Sequence, residues 1–144
     1  MQVPYAGSEY AIKAERERQA TSTLTENGLR ELEPLQILTE NKCESTPTIR
    51  EYHITQQGDD DLVPGGFLHY ILMDRVPGVE LSQDVFWSLD REERDDIREA
   101  FQTAWLQCLE AGVRASMGHL FWDRESSKMW FPSSGIVRSP AYVG

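Results

Sequence analysis

The sequence has few basic residues and no long apolar run, and each shortage excludes a class of protein. Fourteen lysines and arginines stand against 24 aspartates and glutamates, which gives a formal net charge of −10. Nucleic acids are bound by basic surfaces that neutralise phosphates, so we expect no nucleic-acid partner. A membrane span needs about 18 consecutive apolar residues. No run approaches that length, so we expect no membrane partner either.

Cysteine is also scarce, which excludes a disulfide framework and a structural zinc site. Cys43 and Cys108 lie outside any Cys-x-x-Cys or Cys/His spacing, and we interpret both as ordinary thiols. The acidic run at 59–61 lacks the spaced ligands and the glycine of a calcium loop. We therefore expect no metal and no cofactor. The first ten residues lack the basic and apolar regions of a signal peptide, which predicts a cytoplasmic protein.

The composition nevertheless suffices for a folded core. Forty per cent of the 144 residues are hydrophobic and 10% are aromatic, and a chain of this length usually forms one domain. We predict a flexible arm over 1–9, a folded domain over 10–133 and an irregular tail over 134–144. The fold class that we predict is α+β, with a small antiparallel sheet and packed helices.

The sequence pattern of residues 10–40 predicts a strand end followed by helical stretches. Residues 10–13 form a short apolar run typical of a strand end, and 14–25 have a helix-forming composition without an apolar stripe. Asn27-Gly28 predicts a break in the helix. Pro34 predicts a kink or a late start of the next helix. Leucines at three-residue spacing predict that this helix has a buried face: Leu29, Leu32, Leu35 and Leu38.

Two strands and a long helix are predicted further along. Residues 48–55 are rich in Thr, Ile and Tyr, which predicts a strand. Residues 67–74 are an almost continuous apolar run, which predicts a strand buried on both faces. Asp90 followed by Glu93 is typical of a capping box and predicts a helix over about 91–111.

Aromatic residues are concentrated in the second half of the chain. The stretches 119–123 and 128–131 flank a four-residue polar turn and predict a β-hairpin. We expect most of the aromatic side chains to form core and some to line an apolar cavity. The group consists of Phe86, Trp87, Trp105, Phe121, Trp122, Trp130 and Phe131.

These elements carry motifs in a recognisable order. The motifs are Ala-Ile-Lys13, Glu31 on the leucine-rich helix, Val63-Pro-Gly-Gly-Phe67, Val76-Pro-Gly78, Phe86-Trp87, Glu93-Arg-Asp-Asp-Ile-Arg98 and Phe-Trp-Asp123. Over residues 10–133 this order resembles protein-kinase-like proteins of the fungal type, which are related to aminoglycoside-phosphotransferase-like kinases. The resemblance implies a kinase-like N-lobe and hinge remnant, followed by one long helix and a β-hairpin, in a truncated domain without a full C-lobe.

The resemblance also implies roles for particular residues. Lys13 would be the β3 lysine and Glu31 its partner on the αC helix, and the exit of strand 67–74 would be the hinge. A kinase then carries H-R-D-x-x-x-x-N, whose Asp accepts the hydroxyl proton and whose Asn holds Mg²⁺. In this sequence that loop is too short and has no base. His119 stands at the position of the Asn, and Ser133 at that of the later metal-binding Asp.

Phosphoryl transfer depends on positioning and on cations that neutralise the phosphates, so these departures predict no phosphotransferase activity. The first functional hypothesis is therefore a degenerate kinase-like binding module. We expect its uncovered apolar face to form a homodimer or to bind a protein partner. The residues that we expect to bind a ligand are Lys13, Glu31, Phe121, Trp122 and Trp130.

The second hypothesis is a cofactor-free isomerase, cyclase or lyase that acts on an apolar small molecule in an aromatic-lined pocket. Its acid–base candidates are His69, Asp74, His119 and Asp123, because imidazole titrates near neutrality and one positioned acid or base can suffice. Each candidate also has a structural interpretation. His69 fits a core histidine, Asp74 a strand-end cap, His119 a hairpin position and Asp123 an Asx-type turn.

Overall fold

The computed structural model describes residues 1–5, 11–23, 26–115, 118–132 and 137–138, with backbone alone at 26–31 and 137–138. The chain forms two compact units, each assembled from two separate stretches. The first unit consists of Met1–Leu29 and Glu51–Leu72, and the second of Arg30–Arg50 and Met73–Gly144. The domain boundaries expected after residues 9 and 133 fall outside the described residues and stay predictions.

Helix α1, Lys13–Glu17, lies entirely within the first unit. The expected strand end at 10–13 is wrong, since Lys13 is the first helical residue. The helix expected over 14–25 is also shorter than predicted. Ile12 provides no side-chain cap, and α1 buries no residue. Without a cap or a packed face, nothing offsets the cost of extending so short a helix.

Strands β1, Ile49–Gln56, and β2, Phe67–Met73, pair in a two-stranded sheet. Both strands were predicted within one residue, but burial of the second on both faces is wrong. Tyr70 is 57% exposed and Leu72 is 60% exposed. A two-stranded sheet has no neighbouring strands to enclose it, so an apolar run does not by itself produce a buried strand.

The first residues of the chain are hydrogen-bonded into the first unit. Gln2 is 7% exposed, and its backbone N–H donates to the Phe67 carbonyl oxygen over 3.0 Å. The Gln57 side-chain amide donates to the Gln2 carbonyl oxygen over 2.8 Å and accepts from the Val63 N–H over 3.0 Å. These bonds satisfy the buried amide of Gln57 and connect residue 2 to the loop between β1 and β2.

Helix α2, Glu26–Glu40, contains the whole of the predicted leucine-rich helix. Leu32, Leu35 and Leu38 are buried as expected, while the side chain of Leu29 lies outside the described set. The break expected at Asn27-Gly28 is wrong, because both residues are inside α2. They occupy its first turn, where the N–H groups have no intrahelical partner and a poor helix former costs little. Pro34 lies within the helix rather than delaying its start.

Helices α3, Gln83–Ser88, and α4, Arg91–Glu110, follow in the second unit. The predicted long helix is confirmed with its cap, because the Asp90 carboxylate accepts from the Glu93 N–H over 2.8 Å. Gly112 follows the helix with a φ of 75°, as expected of a terminating glycine. The buried face of α4 consists of Ile97, Ala104 and Cys108.

The small sheets of the second unit are antiparallel. Strand β3, Val79–Glu80, pairs with β5, Phe121–Asp123, which pairs with β6, Lys128–Trp130. Strands β4, Val113–Arg114, and β7, Val137–Arg138, form a second pair. The predicted hairpin is confirmed, and α4 packs on β6.

The core of the second unit joins α2, α4 and the hairpin. Its buried members are Leu35, Leu38, Ile97, Ala104, Cys108, Val113, Ala115, Trp122, Met129 and Phe131. Phe101 stacks on Trp105 with ring centroids 5.7 Å apart, and both rings meet Phe131 edge-on. The coarse fold class is therefore confirmed as α+β with small antiparallel sheets. In the described part of the chain, no helix combines the length and apolarity required to cross a bilayer.

Candidate ligand-binding cavity

A polar cavity of about 760 Å³ lies within the second unit. Three segments line it: the turn that follows α2, the exit of β2 at 74–77, and strand β6. Its volume is in the range of small-molecule sites. The lining residues that bear on its chemistry are Lys42, Cys43, Glu44, Asp74, Arg75, Lys128 and Trp130.

The turn after α2 is shaped by a Schellman motif. The Cys43 N–H donates to the Leu38 carbonyl over 2.9 Å, and the Lys42 N–H donates to the Thr39 carbonyl over 3.1 Å. Lys42 has a φ of 53° and so occupies the left-handed position that usually holds glycine. The motif directs the chain away from the helix axis and brings Lys42 and Cys43 into the cavity wall.

Both carboxylates of the cavity are paired with cations. The Arg50 guanidinium donates two hydrogen bonds of 2.7 Å to Asp74, and the Lys128 ammonium lies 2.8 Å from the Glu44 carboxylate. These hydrogen bonds hold the pKa values of Asp74 and Glu44 below their ordinary values.

The remaining cations of the cavity are Lys42 and Arg75. Among the described residues, neither of them forms an ion pair. The cavity therefore contains two neutralised acid–base pairs and two further positive charges. This balance favours an anionic occupant, because each positive charge lowers the free energy of a nearby negative one.

A pair of thiols adjoins the cavity. Cys43 lines it and is half-buried, whereas Cys108 on α4 is fully buried. The Cys108 S–H donates to the Cys43 sulfur, together with the Ser45 backbone N–H and the Thr46 hydroxyl. These donors lower the pKa of the Cys43 thiol to about 6, while the hydrogen bond with Cys43, burial and the Cys43 charge raise the pKa of Cys108.

Of the four predicted acid–base residues, Asp74 lines this cavity. His69 lies on β2 in the first unit, and Asp123 accepts from the Glu125 N–H over 3.2 Å and from the Ser126 hydroxyl. The Asx-type interpretation of Asp123 is thereby confirmed. His119 is exposed, with a φ of 57°, and its Nδ1 lies 2.8 Å from the Glu80 carboxylate.

The predicted ligand-binding residues are also dispersed. Trp130 lines the cavity, and Phe121 lies opposite it in the β5–β6 register. Trp122 is buried in the core, where its Nε1–H donates to Glu93 over 3.2 Å. Lys13 pairs with Glu17 over 3.8 Å. The side chain of Glu31 on α2 lies outside the described set, so its pairing with Lys13 stays a prediction.

A second, apolar pocket of about 340 Å³ has Phe86 in its wall as the one described member of the expected aromatic group. It lies between α3, α4 and the hairpin, and its wall includes Phe86, Ile97, Phe101 and Met129. Its charged lining residue is Arg98, whose guanidinium carbon lies 5.3 Å from the Phe86 ring centroid. None of the described residues that line it is a histidine or a carboxylate. This pocket therefore lacks the acid–base group that the isomerase, cyclase or lyase hypothesis requires.

The sequence interpretation missed Lys42, Cys43 and Arg75. The one signal available was the Lys-Cys pair directly after a leucine-rich helix, at a position where the chain must turn. Within the described part of the chain, no three His, Cys, Asp or Glu side chains are grouped so that they could hold a metal ion. Comparison of the chain with family models, curated proteins and solved structures gave no match.

Proposed function

We propose that this chain is a degenerate kinase-like binding module that binds a small anionic molecule without transferring a phosphoryl group. The kinase-like part of the proposal is supported by the element order, in which α2 precedes the β1–β2 hairpin, α4 and the β5–β6 hairpin. The segment 74–77, which the resemblance implies to be a hinge, lines the polar cavity.

The observation that carries the proposal is the charge balance of this cavity. Lys42 and Arg75 supply two positive charges that no described carboxylate neutralises. The aromatic ring of Trp130 adds an apolar surface on the same wall. A ligand with an anionic group and a planar or apolar body would complement both features.

The proposed absence of phosphoryl transfer is supported by the ion pairs of the two cavity carboxylates. Asp74 is engaged by Arg50, and Glu44 by Lys128, so neither carboxylate of the cavity is available for a nucleotide's magnesium ion. His119, at the position where the family carries its metal-binding Asn, is bonded to Glu80 instead. Phosphoryl transfer requires cations placed on the phosphates by such ligands.

Self-association is the second part of the proposal. Large apolar side chains on the β1–β2 hairpin are exposed: Tyr52, Ile54, Tyr70 and Leu72. Residues two apart on a strand share a face, so Tyr52 and Ile54 form one apolar stripe and Tyr70 and Leu72 another. A second copy of the chain would cover such stripes.

The test measures thermal unfolding with pyrophosphate or citrate as the anionic probe. A ligand at a hundredfold excess over its Kd stabilises the folded state by about 2.7 kcal/mol, which raises the Tm by several degrees. We expect this shift in the wild type without magnesium and its loss in Lys42→Asn/Arg75→Gln. Asparagine tolerates the left-handed backbone of residue 42, so this variant removes charge without adding strain.

Arg91→Gln is the matched control. Arg91 is an exposed arginine at the start of α4 and lies outside the cavity, so its removal should leave the shift intact. The same preparations are assayed for ATP hydrolysis with magnesium, where we expect none. Magnesium-dependent turnover would contradict the absence of phosphoryl transfer. An equal shift in the double variant and the control would place the anion elsewhere.

A further inference from the structure

The two cysteines of the chain occupy one site, although 65 positions separate them in sequence. Cys43 ends the Schellman turn, and Cys108 lies on the buried face of α4. Cys43 packs against the buried cluster that contains Cys108, and interaction with the Cys108 thiol lowers the pKa of Cys43. The Cys43 sulfur also lies 3.9 Å from the Gln107 Oε1, which accepts a 3.1 Å hydrogen bond from the Ser45 hydroxyl.

We propose that Cys43 and Cys108 form a dithiol that a hydroperoxide oxidises to an intramolecular disulfide. The Cys43 thiolate attacks one peroxide oxygen, the O–O bond breaks, and the sulfur keeps that oxygen as a sulfenic acid. The other oxygen takes up a proton from the solvent and leaves as water or an alcohol. The Cys108 sulfur then attacks the Cys43 sulfur, the S–O bond breaks, and the oxygen leaves as water with the Cys108 proton. Two electrons pass from the thiols to the peroxide in total.

The order of attack follows from exposure and from the donors around each sulfur. Cys43 lines the cavity, while Cys108 is fully buried, so peroxide meets Cys43 first. Three donors converge on the Cys43 sulfur and stabilise its thiolate: Cys108 S–H, Ser45 N–H and the Thr46 hydroxyl. The thiolate is the nucleophilic form of cysteine, so this environment favours oxidation at Cys43.

The cavity supplies further charges around this thiol. Lys42 and Lys128 line the same cavity as Cys43, and the carboxylate of Glu44, which opposes the Cys43 thiolate, is paired with Lys128. Cys108, whose pKa is raised by its interaction with Cys43, is the resolving thiol. This arrangement differs from that of an isolated buried cysteine, which has neither an entry path for peroxide nor a second thiol.

The experiment treats the wild type with hydrogen peroxide and measures its intact mass. We expect the loss of the mass of two hydrogen atoms, with full recovery after dithiothreitol. In Cys108→Ala the resolving thiol is absent, so dimedone should label a sulfenic acid at Cys43. In Cys43→Ser, we expect Cys108 to be oxidised at about a tenth of the rate of Cys43 in the wild type or more slowly still, because Cys108 is buried and protonated.

The wild-type measurement alone can overturn the proposal. A disulfide-linked dimer on a non-reducing gel, or the addition of oxygen atoms without loss of hydrogen, would exclude the intramolecular bond even if a cysteine variant failed to fold. Peptide mapping of the wild type after partial oxidation gives a second measurement. Equal dimedone labelling of both cysteines would exclude Cys43 as the first site of attack.

Discussion

Replacement of Gly78 by alanine tests how closely the segment after β2 approaches the hairpin. Gly78 has a φ of 86°, and a Cβ at this position would overlap the Trp122 carbonyl oxygen and lie 2.8 Å from the Asp123 nitrogen. Both atoms belong to the backbone of β5, so no side-chain rotation can relieve the overlap. The strand itself must move, and its pairing of Val79 with Trp122 is then disturbed.

Gly112→Ala is the matched control, because Gly112 also has a positive φ, 75°, but a Cβ there meets no atom within 4 Å. A left-handed alanine costs about 1–2 kcal/mol, and the reduced freedom of the unfolded chain returns about 0.4–1 kcal/mol. We therefore expect Gly112→Ala to lower the free energy of unfolding by about 1 kcal/mol. Overpacking adds about 1–3 kcal/mol at Gly78, which gives a total of about 3 kcal/mol.

Urea unfolding followed by tryptophan fluorescence measures both variants, since the chain has four tryptophans and Trp122 lies at the contact. Circular dichroism of the folded variants checks that each retains its secondary structure. If the two substitutions cost the same within about 0.5 kcal/mol, the close approach of Gly78 to β5 is refuted. The conformational cost of a positive φ would then account for the loss of stability in both variants.

Two further predictions concern the surface. We expect the wild type to be a dimer at micromolar concentration and Tyr70→Thr/Leu72→Thr to be a monomer, as measured by size-exclusion chromatography with light scattering. Leu106→Gln changes an exposed position on α4 and should leave the dimer intact. A monomeric wild type would contradict self-association. Arg50 lowers the pKa of Asp74 from its ordinary 3.8. The ion pair therefore stabilises the folded state above pH 3.8, and this stabilisation is lost as the pH falls through the lower pKa of the folded state. The difference in urea midpoint between the wild type and Asp74→Asn should therefore shrink below about pH 4; a constant difference down to about pH 2 would show that the carboxylate does not titrate against Arg50.

Elements defined by local chemistry were predictable from the sequence. Helix α4 begins where Asp90 and Glu93 form a cap, and both residues lie within four positions of each other. The hairpin around Asp123 likewise depends on a short polar turn between aromatic residues. In each case the residues that determine the structure are neighbours in sequence, so their pattern is visible before the chain is folded.

Burial and helix extent were less predictable, because they depend on what else packs nearby. The apolar run of β2 indicated a strand enclosed on both sides, yet it pairs with one strand and leaves Tyr70 and Leu72 exposed. Lys13 was interpreted as a strand end, although the charged residues after it form a short helix. Tertiary context decides such cases more than composition does.

The cavity could not have been predicted from pattern alone. Lys42 and Cys43 come from the turn after α2, Arg75 from the exit of β2, and Lys128 from β6. No motif spacing connects segments so far apart, and the left-handed Lys42 has none of the glycine signal that usually marks such a turn. Asp74 was included among the candidates because its position at a strand end was visible in the sequence.

The division of the first unit into two stretches affects the moment at which it can form during synthesis. The N–H of Gln2 emerges from the ribosome long before its acceptor, the carbonyl oxygen of Phe67. At translation rates of about 5–20 residues per second, the delay is on the order of several seconds. During that interval the backbone carbonyl oxygen of Gln2 lacks its donor, the side-chain amide of Gln57. Helix α2 is translated within the same interval, before the residues against which its leucines pack, so nascent chains arrested after residue 50 should lack the first unit.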